Sequence, residues 1–262
     1  MTNTNKKWAL VTGSSSGIGL AFAEKLADSG FSIILHGIEP LEKLKSIGQQ
    51  LQANRNIEIE LASLDLSDLE QLQFFITNLQ SKKISPDVLI NNAGFQFVSP
   101  VEDFPIEIWK KMLDVHLTAP FFLIQKLIPS MRNKKWGRII NISSVHGLVA
   151  SAHKSAYVSA KHALVGLTKT VALETAGSGI TVNAICPGWV QTPLVENQIH
   201  DLAKRENLSF DQAREKLLGE KQPSKNFVKT SDLAGLMSFI ISDQAQNMTG
   251  SIITMDGGWT SQ

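Results

Sequence analysis

Trp8-Ala9-Leu10-Val11-Thr12-Gly13-Ser14-Ser15-Ser16-Gly17-Ile18-Gly19 is the stretch whose reading decides the fold. Its first four residues form an unbroken apolar run, the pattern of a strand buried on both faces. Three glycines follow, spaced Gly13-x-x-x-Gly17-x-Gly19, and a helical period begins at Ile18. A strand that feeds a glycine turn and then a helix can cradle a phosphate. Small residues let the backbone come close, and the helix start supplies free N–H groups and a positive dipole. The spacing is not the more familiar Gly-x-Gly-x-x-Gly, and a merely flexible loop is the bland alternative. Its place after the first strand of an alternating chain favours a dinucleotide. Gly13, Ser15, Ser16, Gly17, Ile18 and Gly19 are the residues expected at that cofactor.

Outward from this stretch, strands and helices alternate. A helix is predicted over residues 18–29, with Ala21, Phe22 and Leu26 toward the core and Gly30 as its stop. Strands are expected at 31–35, 57–61, 88–90, 139–142, 181–185 and 251–254. Helices are expected at 41–51, 66–79 and 106–131, the last broken near Pro120, and from Tyr157 to Ala176. This order implies an α/β fold with a parallel sheet covered on both faces, and one domain over residues 1–262. Residues 193–228 break the alternation. They are polar, read as two helices with Ser209 capping the second, and are longer than one crossover needs. A lid over a substrate is the functional reading, and a decorative helical pair is the plain one.

Composition narrows the function. The 262 residues are 43% hydrophobic and 19% charged, enough for a large core. A net charge of +1 argues against a nucleic-acid partner. Cys186 is the only cysteine, which points to a reducing compartment. Residues 1–7 are polar, and no apolar run approaches the length of a membrane span. A cytoplasmic protein without membrane contact is expected. The six histidines are dispersed, and no metal site is expected.

Tyr157 is the only tyrosine, and Lys161 stands one helical turn after it on the same face. A free phenol ionises near about 10, too high for a base at neutral pH. A neighbouring ammonium favours phenolate and is expected to lower that value. Ser144, just past the apolar run ending at Ile142, can hydrogen-bond the same substrate oxygen. The three together can exchange a proton with an alcohol or ketone. Tyr-x-x-x-Lys also occurs on helices by chance.

A 2′-phosphate on the cofactor would need an arginine or lysine nearby. None stands in the glycine loop or at the end of the second strand, which reads Leu35-His36-Gly37-Ile38-Glu39. NAD is therefore expected rather than NADP. Glu39 can reach a ribose or can be a solvated carboxylate at a helix start.

With these residues in view, the chain resembles the short-chain dehydrogenase/reductase family along nearly its whole length. The resemblance rests on Thr12-Gly13-x3-Gly17-Ile18-Gly19, Asn91-Asn92-Ala93-Gly94, Ser144, Tyr157-x3-Lys161, Asn183 and Pro187-Gly188. It implies a single-domain Rossmann fold: a seven-stranded doubly wound parallel sheet in the order 3-2-1-4-5-6-7, with the 193–228 insertion before the last strand. It implies NAD(P)-dependent alcohol oxidation or ketone reduction. It further implies that Asp65 and Leu66 contact the adenine, and that Asn92, Ala93 and Gly94 line the cofactor's ribose. Lys161 and Tyr157 would meet the nicotinamide ribose, with Pro187, Gly188, Val190 and Thr192 along the nicotinamide and phosphates. One position departs from the family: His116 stands where an asparagine usually completes the catalytic set. Imidazole can serve a proton relay or simply fill the space.

Within the family, the lid and tail resemble the bacterial enzymes that oxidise (R)-3-hydroxybutyrate to acetoacetate. The segments are Thr192-Pro193-Leu194-Val195-Glu196-Asn197-Gln198-Ile199, Glu220-Lys221-Gln222-Pro223-Ser224 and Asp256-Gly257-Gly258-Trp259-Thr260. Gln96, His146, Lys154 and Gln198 are expected to grip a carboxylate beside Ser144 and Tyr157, with Trp189 and Trp259 walling the apolar end. A homotetramer is expected, with Ala156, Ser159, Ala160, Ala163 and Gly166 letting helices of two subunits approach. Those small residues can equally pack on the chain's own sheet. Two other functions compete: NADPH-dependent reduction of a 3-oxoacyl thioester, and a catalytically silent regulator that binds NAD(H).

Overall fold

The structure, a computed structural model, describes residues 6–261. The polar start expected over residues 1–7 lies outside it as far as residue 5. Seven parallel strands form one sheet in the order β3-β2-β1-β4-β5-β6-β7. They are β1 (Trp8–Val11), β2 (Ser32–Gly37), β3 (Ile59–Ser63), β4 (Val88–Asn91), β5 (Gly137–Ile142), β6 (Ile180–Pro187) and β7 (Ile252–Met255). The order reverses between β1 and β4, which opens a crevice at the carboxyl ends of those strands.

Each central strand is buried on both faces because helices cover both. Ala9 and Val11 of β1 face α1 (Gly17–Asp28), α2 (Leu41–Gln52) and α9 (Thr230–Ile241), packing with Phe22, Leu26, Leu44 and Met237. Trp8 and Leu10 face the other way, toward α3 (Leu69–Ser81), α5 (Ala119–Lys134) and α6 (Ser155–Thr175). There they join Leu72, Leu123, Leu127 and Val171. Fully burying a side chain such as Phe22 or Leu10 contributes about 1.5–3 kcal/mol. These two layers hold the strand ends, and hence the site, in register.

Several expectations need adjustment. β2 runs on to Gly37, so His36 lies inside the strand rather than past its end. On α1 the core-facing residues are Phe22, Ala23, Leu26 and Ala27, and Ala21 is only half-buried. The helical region after β4 is α4 (Ile106–Leu113), then one π-helical turn at Asp114–Thr118, then α5. The break is thus the π turn carrying His116. Pro120 follows this turn in the same continuous helical run, and its missing N–H cannot bond a carbonyl of the turn before it, so the interruption expected near Pro120 is present and takes the form of a π turn. Helix α9 was not anticipated. Its cap position is Lys229, which makes no side-chain cap bond, so the usual start signal is missing.

Between β6 and α9 stand α7 (Pro193–Glu206) and α8 (Phe210–Lys221), the two helices expected there. Ser209 caps α8 in a reciprocal capping box with Gln212. The pair carries a small core of its own, in which Val195, Ile199, Leu202 and Ala213 pack with Trp189 and Phe227. On α6, Ala156 and Ala160 are buried against the chain itself, while Ser159 and Gly166 stay exposed and Ala163 half-exposed. Two of the five small residues therefore serve the chain's own packing. Among the described residues, no helix is long and apolar enough to cross a membrane.

Candidate active site

The carboxyl ends of β1, β4, β5 and β6 carry two adjoining pockets. The larger, of about 600 Å³, lies over the glycine turn. Gly13 has φ +64, and a Cβ there would lie 2.9 Å from the Ala93 Cα, so only glycine fits. Its N–H donates to His36 Nδ1 at 2.9 Å, and the Ser14 N–H donates to the His36 carbonyl at 2.8 Å. β2 therefore holds the turn open. Asn92 Nδ2 donates to the Thr12 and Gly13 carbonyls, and Thr12 Oγ1 accepts from the N–H groups of Asn92 and Ala93. Ser16, extended at the start of α1, makes no side-chain cap bond, so the first N–H groups of that helix stay available to an anion.

Glu39 accepts from Ser15 Oγ at 2.7 Å through Oε1, while its Oε2 is buried with no partner. Lys43 stands 3.5 Å from the same carboxylate. Asp65 accepts from Ser67 and from Lys111, the latter at 2.9 Å. Gly13, Ser15, Ser16, Gly17, Ile18, Asp65, Leu66, Asn92, Ala93 and Gly94 all line this pocket. Gly19 does not. It lies buried beneath the turn, where a Cβ would run into the Gly13 carbonyl oxygen and Asn92 Nδ2, so its part is to let α1 pack. Cradle, open helix start and orphaned carboxylate oxygen fit a dinucleotide.

The smaller pocket, of about 140 Å³, contains the chemistry. Ser144, Tyr157, Lys161 and His116 line it. So do Gln96, His146, Lys154, Trp189, Gln198 and Trp259, together with Pro187, Gly188, Val190 and Thr192. Every residue expected at the substrate is therefore brought together. Helix α6 delivers Tyr157 and Lys161 one turn apart, and β5 delivers Ser144. Lys161 Nζ donates to the Ile142 carbonyl at 2.7 Å, and Ser143 Oγ donates to the Lys161 carbonyl at 3.1 Å, which pins α6 to the sheet end. Ser144 starts a 3-10 turn over Val145–Gly147 by accepting from the His146 N–H at 3.2 Å. His146 packs edge-on against Tyr157 and Trp259, and its Nε2 lies 2.9 Å from Ser151 Oγ. Lys154 Nζ lies 5.1 Å from the centre of the Trp189 ring, within cation–π reach.

Burial dominates the electrostatics. It pushes the Tyr157 phenol up to about 12, with a Ser144 hydrogen bond pulling the other way and Cys186 adding to the rise. The expected lowering by Lys161 does not govern here, because desolvation of a buried phenolate outweighs it. Lys161 is itself lowered to about 8 by burial. Lys154 is also lowered to about 8, for the same reason. His146 falls to about 4, through burial and then the neighbouring charges of Lys154, Lys221 and His162.

His116 sits in the π turn with Nε2 2.8 Å from the Phe95 carbonyl oxygen and its ring edge-on to Tyr157 at 5.4 Å. Burial, then the Lys161 charge, lowers it to about 3, so the ring is neutral. Its Nδ1 is buried without a partner. A Cβ on Gly94 would collide with this ring. Asn183, part of the family pattern, lies away from both pockets and ties β6 to the approach of β7 through Met248 and Ser251. Among the lining residues that the sequence did not single out for the site are His36, Phe95 and, on α7, Val195. Phe95 directly follows Asn-Asn-Ala-Gly, and Val195 lies three residues before Gln198 on one helix face, so both were within reach of spacing arguments. No such signal marked His36, because its partner is a backbone N–H 23 positions away. Among the described residues, no group of three or more His, Cys, Asp or Glu is placed to hold a metal ion.

Comparison with known proteins agrees with this geometry. Residues 7–203 match the short chain dehydrogenase family. A protein of Cupriavidus necator named D-beta-hydroxybutyrate dehydrogenase is 46% identical over 98% of this chain and 99% of its own. One of the same name from Rhizobium meliloti is 43% identical over 98% and 99%. A 4-hydroxyisoleucine dehydrogenase solved with NADH superposes with a TM-score of 0.86 at 33% identity, covering 98% of this chain and all of that one. The Gly13 cradle, the Ser144, Tyr157 and Lys161 cluster and a match over 7–203 thus agree on one ancestry, and the chain belongs to the short-chain dehydrogenase family.

Proposed function

We propose that this protein is an NAD-dependent oxidoreductase that converts (R)-3-hydroxybutyrate to acetoacetate. One observation carries the reading: a lysine held over a tryptophan ring, Lys154 on Trp189, lines the same small pocket as Ser144 and Tyr157. That pairing puts a positive charge beside the reacting hydroxyl, as a short hydroxy acid requires. Two relatives covering nearly the whole chain carry the corresponding name. Within the pocket, Gln96, His146 and Gln198 supply further hydrogen-bonding groups for the carboxylate, and Trp189 with Trp259 limits chain length.

NAD, when bound, accepts the hydride from the carbinol carbon. The residues of this chain do the rest. Ser144 and Tyr157 hold the substrate oxygen, and Tyr157 as phenolate takes the hydroxyl proton while the C=O bond forms. Lys161 favours that phenolate by charge. His116, neutral and bonded to Phe95, supports the wall beside the phenol. Glu39 would accept a ribose hydroxyl through Oε2 and repel a 2′-phosphate, which supports NAD over NADP. Helices α7 and α8 act as a lid within a single domain, bringing Gln198 over the substrate. The exposed Ser159 and Gly166 support a tetramer in which α6 meets a second copy. The single cysteine supports a cytoplasmic location.

A substrate panel with NAD tests the reading: (R)- and (S)-3-hydroxybutyrate, 2-hydroxybutyrate, 2-butanol and a 3-hydroxyacyl thioester. The (R)-3-hydroxy acid is expected to lead. Equal turnover of 2-butanol or the thioester would remove the anion pocket from the reading. Tight NADH binding with no turnover at all would favour a silent regulator.

A further inference from the structure

The α7–α8 hairpin leaves the sheet at Trp189 and returns at Val228, and these two stalks pair with each other. The Val228 N–H donates to the Trp189 carbonyl at 2.9 Å, and the Gln191 N–H donates to the Val228 carbonyl at 3.1 Å. Val190 and Val228 form the parallel bridge between them. Gln222, the residue that ends α8, sits inside this neck with 1% of its surface exposed. Its Oε1 accepts the Trp189 N–H at 2.8 Å, and its Nε2 donates to the Asn226 carbonyl. One amide therefore uses both ends to join the outgoing stalk to the returning one. The backbone around it is cut to fit. A Cβ on Gly188 would lie 2.6 Å from Gln222 Oε1, and one on Gly257 would lie 2.8 Å from its Cγ.

Gln222 does not line the substrate pocket, but Trp189 does. The Trp189 ring carries Lys154 and touches the Trp259 ring at 5.6 Å between centres. Whatever fixes the Trp189 backbone therefore fixes the position of the ammonium. Removing the Gln222 amide would leave the part-buried Trp189 N–H without its partner and release the Asn226 carbonyl from the neck.

We propose that Gln222 is a positioning residue for the substrate. It clamps the neck of the hairpin to Trp189, and so holds the ring on which Lys154 rests. This deepens the proposed function and rests on it, since Lys154 is taken as the carboxylate anchor.

The test compares Gln222→Leu and Gln222→Glu in the full chain. Glu keeps an acceptor for the Trp189 N–H, and Leu keeps neither bond. The KM for (R)-3-hydroxybutyrate should rise about tenfold in Gln222→Leu, the scale of one lost buried hydrogen bond, and less in Gln222→Glu. NADH affinity should stay within about twofold and kcat within about threefold, well under one hydrogen bond's worth. Hydrogen exchange of the peptide spanning residues 186–191, read without substrate, should quicken in Gln222→Leu and stay near wild type in Gln222→Glu. An unchanged KM overturns the proposal. So does a fall in NADH affinity matching the rise in KM, together with a lowered Tm, which would mark a general loosening of the fold. If the wild-type protein does not oxidise the acid, the proposed function has failed and the exchange data alone decide the clamp. Unchanged exchange in Gln222→Leu would then overturn it.

Discussion

Lys161 Nζ donates to the Ile142 carbonyl oxygen at 2.7 Å and stands 5.5 Å from the centre of the Tyr157 ring. The ammonium is tied to the end of β5, and burial sets the ionisation of the phenol above it. Tyr157→Phe removes the hydroxyl proposed to transfer the proton and leaves the packed ring in place. We expect kcat to fall by about 10²–10⁴-fold, the usual share of a general base. NADH affinity, read by fluorescence titration, should stay nearly intact. A variant retaining more than about a tenth of the activity would show that the phenol is not the base.

The two perturbed groups separate in a pH profile. Oxidation needs phenolate, and burial raises the Tyr157 pKa to about 12, so kcat for oxidation should climb with pH through the alkaline range. If the Lys154 ammonium, which burial lowers to about 8, holds the carboxylate, KM for the acid should climb above that pH. Lys154→Met should raise KM at neutral pH and abolish its pH dependence. Truncating one partner of a buried charge pair costs about 2–5 kcal/mol, a loss of more than tenfold in affinity. The sign for stability follows from the same shift. Between about 8 and the ordinary lysine value of about 10.4 the unfolded chain holds the proton and the folded one does not, so stability rises with pH there.

Glu39 presents an unpartnered buried oxygen to the pocket over the glycine turn. Glu39→Ser removes the charge that would oppose a 2′-phosphate, and Lys43 beside it remains. The ratio of kcat/KM for NAD to that for NADP should drop by about tenfold or more, the scale of one charge-assisted hydrogen bond lost and one repulsion relieved. An unchanged ratio would place the discrimination elsewhere.

Much of this was readable from residue order. The run from Trp8 to Gly19 carries strand, turn and helix in one line, because an apolar tetrad and three glycines leave the backbone few alternatives. Many of the pocket residues were also legible, since they lie close in sequence to a strand end or a motif. What escaped depends on distance in space. Pro120 marked the interruption of the long helix, but not its form as a π turn at Asp114–Thr118, because one shifted hydrogen bond needs no special residue type. The phenol's pKa was misjudged from the Tyr157-to-Lys161 spacing, because spacing reports the neighbour and says nothing of the burial around both. Gly19 looked like a cofactor contact, and its real constraint, the Gly13 carbonyl above it, appears only once the turn is folded.

Gln198 lines the smaller pocket from α7, which packs with α8 through a small core of its own. Gln198→Ala should raise KM for the hydroxy acid by about tenfold, as loss of one hydrogen bond to a charged group does, and leave NAD affinity unchanged. Equal KM values for variant and wild type would mean that the lid does not read the substrate through this side chain.

His116 has two readings that the geometry now lets kinetics separate. Its Nε2 lies 2.8 Å from the Phe95 carbonyl oxygen and 3.2 Å from the Phe95 nitrogen, so either tautomer bonds the Phe95 backbone, while Nδ1 has no partner. With its pKa lowered to about 3 by burial and by the Lys161 charge, the ring stays neutral at any working pH and cannot act by gaining charge. Its firm connection is to Phe95, and the next residue, Gln96, lines the same pocket as Tyr157. His116→Leu keeps the bulk against Tyr157 and Gly94 but frees the Phe95 carbonyl. If the imidazole positions this loop, KM for the acid should rise by about tenfold while kcat falls less than about threefold, the scale of one hydrogen bond. His116→Asn, which can still donate to the carbonyl, should restore most of the affinity. A fall in kcat of about a hundredfold at unchanged KM would instead put Nδ1 in the path of the proton, since only loss of a transition-state interaction moves kcat alone.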